Sequence, residues 1–298
     1  MSLPLLPKST ATPTEDTQSD SAYADSIIHS TSSLTSSIVN YTYENGRRYH
    51  AFRDGEYPLP NDEKEQDRLD LFHHIYKLLL NGDLFCAPIP PNPQRVLDFG
   101  TGTGIWALDI ADQFTSAEVI GTDLSPIQPQ WVAPNCTFEI DDIESEWTFG
   151  RPFNFIHSRN MGGSIRDWDK LYAKIYQHLQ PGGYAEIQEF ETWVVSDDDI
   201  ELKNAPNVLR MLQEVAKASE NFGKELNIAP KVKQGMIDAG FEDVTDKVYK
   251  VHLNETFSSL LCWLIILSIL PAPSRPIAKR SPTEGDRNVP TLADARRY

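Results

Sequence analysis

Val96-Leu97-Asp98-Phe99-Gly100-Thr101-Gly102-Thr103-Gly104-Ile105-Trp106 is the stretch whose reading decides the fold. A short apolar run reaches an acid, passes through glycines at three alternate positions and continues into a helix-like pattern. That order predicts a strand, a tight turn and a helix. Glycine suits such a turn because, without a Cβ, it accepts φ > 0 and lets a ligand approach the backbone closely.

Downstream, the same alternation repeats. Strands are expected over Arg95–Phe99, Glu118–Thr122, Thr137–Ile140, Phe153–His157 and Tyr184–Phe190, with Pro181-Gly182-Gly183 as a sharp turn before the last. Helices are expected from about Gly104 to Phe114, Trp168 to Leu179, Val208 to Phe222 and Pro230 to Ala239. Short apolar strands alternating with helices predict an α/β fold, a mostly parallel twisted sheet covered by helices on both faces. Val244–Leu253 alternates valines with polar residues and predicts a sixth strand. Phe257–Leu270 is an apolar run shorter than the roughly 20 residues that cross a bilayer, and predicts a buried helix or strand rather than a membrane span.

Upstream, residues 1–37 are dominated by Ser, Thr, Asp and Pro and predict a disordered tail, as does the Pro-, Arg- and Ser-rich stretch 271–298. Residues 38–93 are expected to form an N-terminal helical cap, and 94–270 the main domain, divergent after about 253. Tyr41, Tyr43, Tyr49, Phe52 and Tyr57 alternate with Arg47, Arg48, His50 and Arg53, which suits a cap over a ligand pocket or a platform for bases. Pro60-Asn61-Asp62-Glu63 is a helix start, with an Asx cap and acids in the first turn. Asn81-Gly82 closes that helix.

The formal charge of −16 argues against a chain-wide phosphate-binding surface and so against nucleic acid as the main ligand. The three cysteines, Cys86, Cys136 and Cys262, lie far apart without metal-ligand spacing, so neither a disulfide scaffold nor a metal site is expected. No charged start followed by a long apolar core opens the sequence, so an intracellular, cytoplasmic or nuclear protein is expected.

The glycine turn has two rival ligands. A dinucleotide fingerprint is G-x-G-x-x-G, with an acid about 20 residues on. Here the spacing is G-x-G-x-G, and Ile105 stands where the third glycine belongs. That counts against a nicotinamide or flavin cofactor. Asp98-x-Gly100-x-Gly102-x-Gly104 instead resembles the first motif of class I S-adenosylmethionine-dependent methyltransferases, whose cofactor ends in an ammonium and a carboxylate. The resemblance implies that Asp98, Gly100, Thr101, Gly102 and Gly104 receive that end. It also implies that Asp123 takes the ribose hydroxyls with Leu124 packed on the adenine. Asp142, with Asp141 as the alternative, then meets the adenine amine beside Ile143. His157 is either a general base or a histidine satisfied at a strand end.

The wider chain is similar to fungal LaeA-like methyltransferases. The match runs through Tyr43-Glu44-Asn45-Gly46-Arg47-Arg48-Tyr49-His50, Leu59-Pro60-Asn61-Asp62-Glu63, His157-Ser158-Arg159, Leu179-Gln180-Pro181-Gly182-Gly183-Tyr184 and Glu186-x-x-Glu189. It implies a Rossmann-like class I methyltransferase fold, S-adenosyl-L-methionine as cofactor, and a small-molecule or protein methyl acceptor. It also implies a link to secondary metabolism, with velvet-type regulatory proteins as partners and a non-catalytic nuclear regulator as the alternative role. Class I domains end on an antiparallel strand. No such pattern follows about Leu253, so the C-terminal strand is expected to be missing.

Overall fold

The computed structural model describes residues 41–193, 198–199 and 201–251. The expected tails, 1–37 and 271–298, and the apolar run Phe257–Leu270 lie outside them. Two short strands, β1 (Thr42–Glu44) and β2 (Arg47–Tyr49), pair antiparallel around Asn45-Gly46. Both turn residues have positive φ, as a two-residue hairpin requires. Helix α1 (Glu63–Leu79) follows, capped by Asp62, whose Oδ1 accepts the Glu65 N–H at 3.1 Å. The same carboxylate accepts Arg47 Nε at 2.5 Å and Nη2 at 3.0 Å, which ties the hairpin to the helix start.

The main sheet is built from β3 (Arg95–Phe99), β4 (Glu118–Asp123), β5 (Cys136–Ile140), β6 (Phe153–Arg159) and β7 (Leu179–Gln188). Its order is β5-β4-β3-β6-β7 and every pairing is parallel. The intervening helices are α2 (Ile105–Gln113) and α3 (Trp168–His178), and α4 (Pro206–Phe222) and α5 (Ala229–Asp238) follow β7. The expected parallel sheet is therefore present.

Strand periodicity splits the core. Leu97, Phe99, Ile120 and Ile156 join one apolar cluster with Leu171 and Ile175 of α3 and Met236 of α5. Val96, Val119 and Phe155 join the other, with Trp106, Ala107, Ile110 and Ala111 of α2. Successive side chains of a strand point to opposite faces, so helices cover both. Chain order places β4 and β5 on one side of β3 and β6 and β7 on the other. The C-terminal ends of β3 and β6 meet at the point where the connections part, and that crevice is the ligand side of such sheets.

Two expectations are corrected. The last strand begins at Leu179 rather than Tyr184, because Phe153 pairs with Leu179 and Phe155 with Tyr184. Pro181-Gly182-Gly183 is thus taken up in a register shift instead of a turn that precedes the strand. The described part of Val244–Leu253 is not a strand. Val248 is 79% exposed, and among the described residues no strand lies along the outer edge of β7 to pair with it. Alternation alone does not hold a strand without a partner.

Candidate functional site

The register of β3 fixes the site. Asp98 lies opposite Gly121 on one side and His157 on the other, at the last turn before the glycines. Gly100, Gly102 and Gly104 have φ of 65°, 58° and 81°, all in the left-handed region. A Cβ at Gly100 would fall on the Met161 thioether, and one at Gly104 on the Phe138 ring. Both positions favour glycine for φ, and Gly104 for space as well, since the Phe138 ring yields less readily than the flexible end of Met161.

The polar groups of this turn are largely spent within the protein. Thr101 N–H donates to Thr122 O at 3.0 Å and Gly104 N–H to Thr101 O at 2.9 Å. Gly102 N–H donates to Asp123 Oδ2 at 2.8 Å, and the other oxygen of Asp123 accepts Ser125 N–H at 2.9 Å. Burial nevertheless pushes Asp123 up to about 6, with those two N–H bonds holding it down. Each oxygen keeps a lone pair for a ligand.

Asp98 is buried and both its oxygens are engaged. His157 Nδ1 lies 2.8 Å from Oδ1, and Thr101 Oγ donates to Oδ2 at 2.6 Å. Asp98 thus shapes the turn through these two bonds while lining the cavity above it. For His157 the geometry is that of a histidine held at a strand end. Its ring is fully buried, stacked on Trp106 with centroids 3.6 Å apart and planes 5° off parallel. Burial pushes its pKa down. The ring underlies the turn at the cavity lining, with no partner for Nε2 among the described residues.

Over these elements lies a cavity of about 450 Å³, the size of a small-molecule site. Asp98, Gly100, Thr101, Gly102, Asp123, Leu124, Asp141, Asp142 and Ile143 all line it, so every expected station except Gly104 faces one space. Gly104 caps α2 just behind it. Asp142 is turned into its own loop, accepting Glu144 N–H at 3.0 Å and Ser145 Oγ at 3.2 Å. Asp141 Oδ1 accepts Asp142 N–H at 2.8 Å, which leaves its other oxygen without a hydrogen bond among the described residues.

The remaining walls come from Tyr57–Asn61 of the cap, Leu69, Phe72 and Tyr76 of α1, Met161–Ile165, Glu189–Thr192, and Val215, Ala218, Ser219 and Phe222 of α4. Among them are residues that sequence reasoning missed. Lys224 is nearly fully buried, and its ammonium donates to Glu56 O at 2.5 Å and Ser164 O at 2.7 Å, with Glu56 Oε2 at 3.3 Å. It joins the cap, the loop after β6 and the end of α4. Lys224→Met is expected to lower stability by about 1–3 kcal/mol, because two carbonyls lose their donor. Thermal unfolding of the variant checks this. Among the described residues no group of side chains is arranged to hold a metal, and no helix is long and apolar enough to cross a membrane.

Comparison with known proteins follows the same lines. The family model described as "Methyltransferase domain" matches residues 71–243. The chain is 44% identical to "Methyltransferase pytC" of Aspergillus terreus over 223 residues, 74% of this chain and 68% of that protein. It is 40% identical to "Secondary metabolism regulator LAE1" of Cochliobolus heterostrophus, over 71% of this chain and 70% of the relative. It is 37% identical to "Protein-methionine methyltransferase laeA" of Emericella nidulans, over 71% of this chain and 57% of that one.

Proposed function

Because the chain belongs to the methyltransferase-domain family, we propose that it is an S-adenosylmethionine-dependent methyltransferase of fungal secondary metabolism acting on a small molecule or a protein. One observation carries the choice of cofactor. The N–H groups of Thr101, Gly102 and Gly104 are all consumed inside the protein, and acids at Asp98 and Asp123 border the turn. A pyrophosphate needs free N–H donors and suffers beside carboxylates. A ligand end bearing an ammonium is favoured by the same arrangement.

In this reading the glycine turn, shaped by Asp98 and Thr101, seats the amino-acid end. Asp123 accepts the ribose hydroxyls, and Leu124 with Ile143 covers the adenine. Asp141 and Asp142 close the adenine end, Asp141 with the oxygen left over. When bound, the cofactor supplies an electrophilic methyl group on a positively charged sulfur. The protein's own contribution is to hold an acceptor in line, to exclude water beneath the cap and to surround the positive charge with acids. No dedicated base is required for an acceptor that is already nucleophilic.

Calorimetry with S-adenosylhomocysteine and with NAD tests this. Binding of the first alone is expected, and binding of NAD alone would overturn the reading. Asp123→Asn is expected to weaken S-adenosylhomocysteine by about 1.5–3 kcal/mol, the worth of a hydrogen bond to a charged group. Wild-type affinity should also fall as pH drops through about 6, because the carboxylate raised to that value becomes protonated and ceases to accept both hydroxyls. The variant should lack that pH dependence, so isotherms from pH 8 to 5 check both statements.

The likeness to a secondary metabolism regulator favours a second reading. In it the chain is a cytoplasmic or nuclear regulator that binds the cofactor and velvet-type proteins with little turnover. Label transfer from radioactive S-adenosylmethionine to a cell extract separates the two, since only the enzyme reading requires a labelled product.

A further inference from the structure

Glu56, Glu65, Glu144, Glu189 and Glu191 are carboxylates of the cavity lining that the cofactor assignment does not use; of these, Glu189 is the one that burial pushes well up. Glu189 leaves the C-terminal end of β7 and is fixed by two main-chain donors, Met161 N–H to Oε1 at 2.7 Å and Gly162 N–H to Oε2 at 3.1 Å. Each oxygen keeps a lone pair beyond these bonds, and the residue lines the cavity. The cations that line the same space are committed elsewhere. Arg68 is on Glu65 at 2.5 Å, and Lys224 is on Glu56 and two carbonyls. Arg159 donates to Leu84 O at 2.7 Å and Gln188 Oε1 at 2.5 Å. The titratable groups facing Glu189 are the phenols of Tyr76 and Tyr172. Tyr76 gives its O–H to Asn160 Oδ1 at 2.7 Å.

Beside this carboxylate stands an aromatic wall. Phe190 packs edge-on to Phe72 with centroids 5.0 Å apart and lies 5.4 Å from the Tyr76 ring. The guanidinium groups of Arg68 and Arg159 already stand over the Phe72 and Tyr76 rings, 5.0 and 4.7 Å from their centroids, so an ammonium group is drawn here by the carboxylate, through a charge-assisted hydrogen bond. The apolar remainder suits a hydrocarbon frame.

We propose that Glu189 is the acceptor-anchoring residue and that it selects a molecule carrying a basic amine on an apolar body. Burial without a cation pushes its carboxyl up to about 7, the state expected of a site whose positive partner arrives with the ligand. The inference rests on the methyl-transfer reading, because it assigns the part of the cavity that reading leaves to the acceptor.

The probes are 4-phenylbutylamine and its neutral counterpart 4-phenylbutanol, titrated at pH 8 into the full chain saturated with S-adenosylhomocysteine. The amine is expected to bind at least tenfold more tightly than the alcohol. Glu189→Gln should erase that preference while leaving S-adenosylhomocysteine affinity within twofold. Equal or absent binding of the two probes to the wild type overturns the proposal, and this comparison stands even where the variant fails to fold. A variant that loses S-adenosylmethionine much more than S-adenosylhomocysteine also overturns it, since Glu189 would then serve the sulfonium of the donor. Failure of the wild type to bind S-adenosylhomocysteine at all takes down the methyl-transfer reading itself. Normal cofactor binding without amine preference removes this inference alone.

Discussion

Gly102→Val is expected to abolish S-adenosylhomocysteine binding, by more than 100-fold, in a protein that still folds. Three features converge on this position. Its φ of 58° is in the left-handed region, where a residue other than glycine costs about 1–3 kcal/mol and a β-branched one the upper end of that range. Its N–H is held by Asp123, and its carbonyl accepts Gln128 Nε2 at 2.6 Å. A valine that relaxes φ must break both bonds, which releases the carboxylate assigned to the ribose. A valine that keeps φ carries its side chain into the cavity, where the nearest obstacle is Leu69 Cδ1 at 3.2 Å from the new Cβ. Either outcome removes the seat. The fold survives because the turn lies beyond the C-terminal end of the central strand and not within either apolar cluster. Calorimetry paired with a thermal melt checks the prediction, and unchanged affinity in a folded variant would move the ligand away from this turn.

The location of that turn was legible because three glycines at alternate positions after an apolar run have few other uses. Helix α1 was legible for a similar reason: Asp62 is both a good cap residue and, in the structure, the cap. Local rules reach that far. They did not reach Glu189 as an anchor, since its position is set by main-chain donors of Met161 and Gly162 nearly thirty residues away. Nor did they reach Lys224, whose partners Glu56 and Ser164 come from two segments far from it in the chain. Its only sequence signal was a lone lysine after the αL glycine Gly223 that ends α4. His157 shows an alternative that local rules leave open. A histidine at a strand end near a ligand suggests proton transfer, yet the parallel register puts it beside Asp98 and α2 lays Trp106 over its ring. The unformed strand at 244–251 makes the same point, since alternation records which residues tolerate a sheet and not whether a neighbouring strand is there to complete it.

Asp98→Ala should be the most destabilising single change near the site, and its cost identifies what supports the turn. The carboxylate is 3% exposed in the middle strand of the sheet, with His157 and Thr101 as its partners. Burial lowers the His157 pKa more than Asp98 raises it, so the imidazole is neutral and donates Nδ1–H to a charged acceptor. Removing that acceptor strands a buried ring N–H and a buried hydroxyl. Hydrogen bonds to charged groups contribute about 1.5–3 kcal/mol each, and relief of the buried charge offsets part of their loss. A net loss of about 3 kcal/mol is expected, together with loss of S-adenosylhomocysteine binding as Thr101 is freed. His157→Phe keeps the stack on Trp106 and removes only the donor. The double variant should therefore cost less than the two single losses added, with a coupling of about 1–3 kcal/mol in denaturant unfolding. Strict additivity would mean that Asp98 and His157 act separately, and that the turn is held by Thr101 alone.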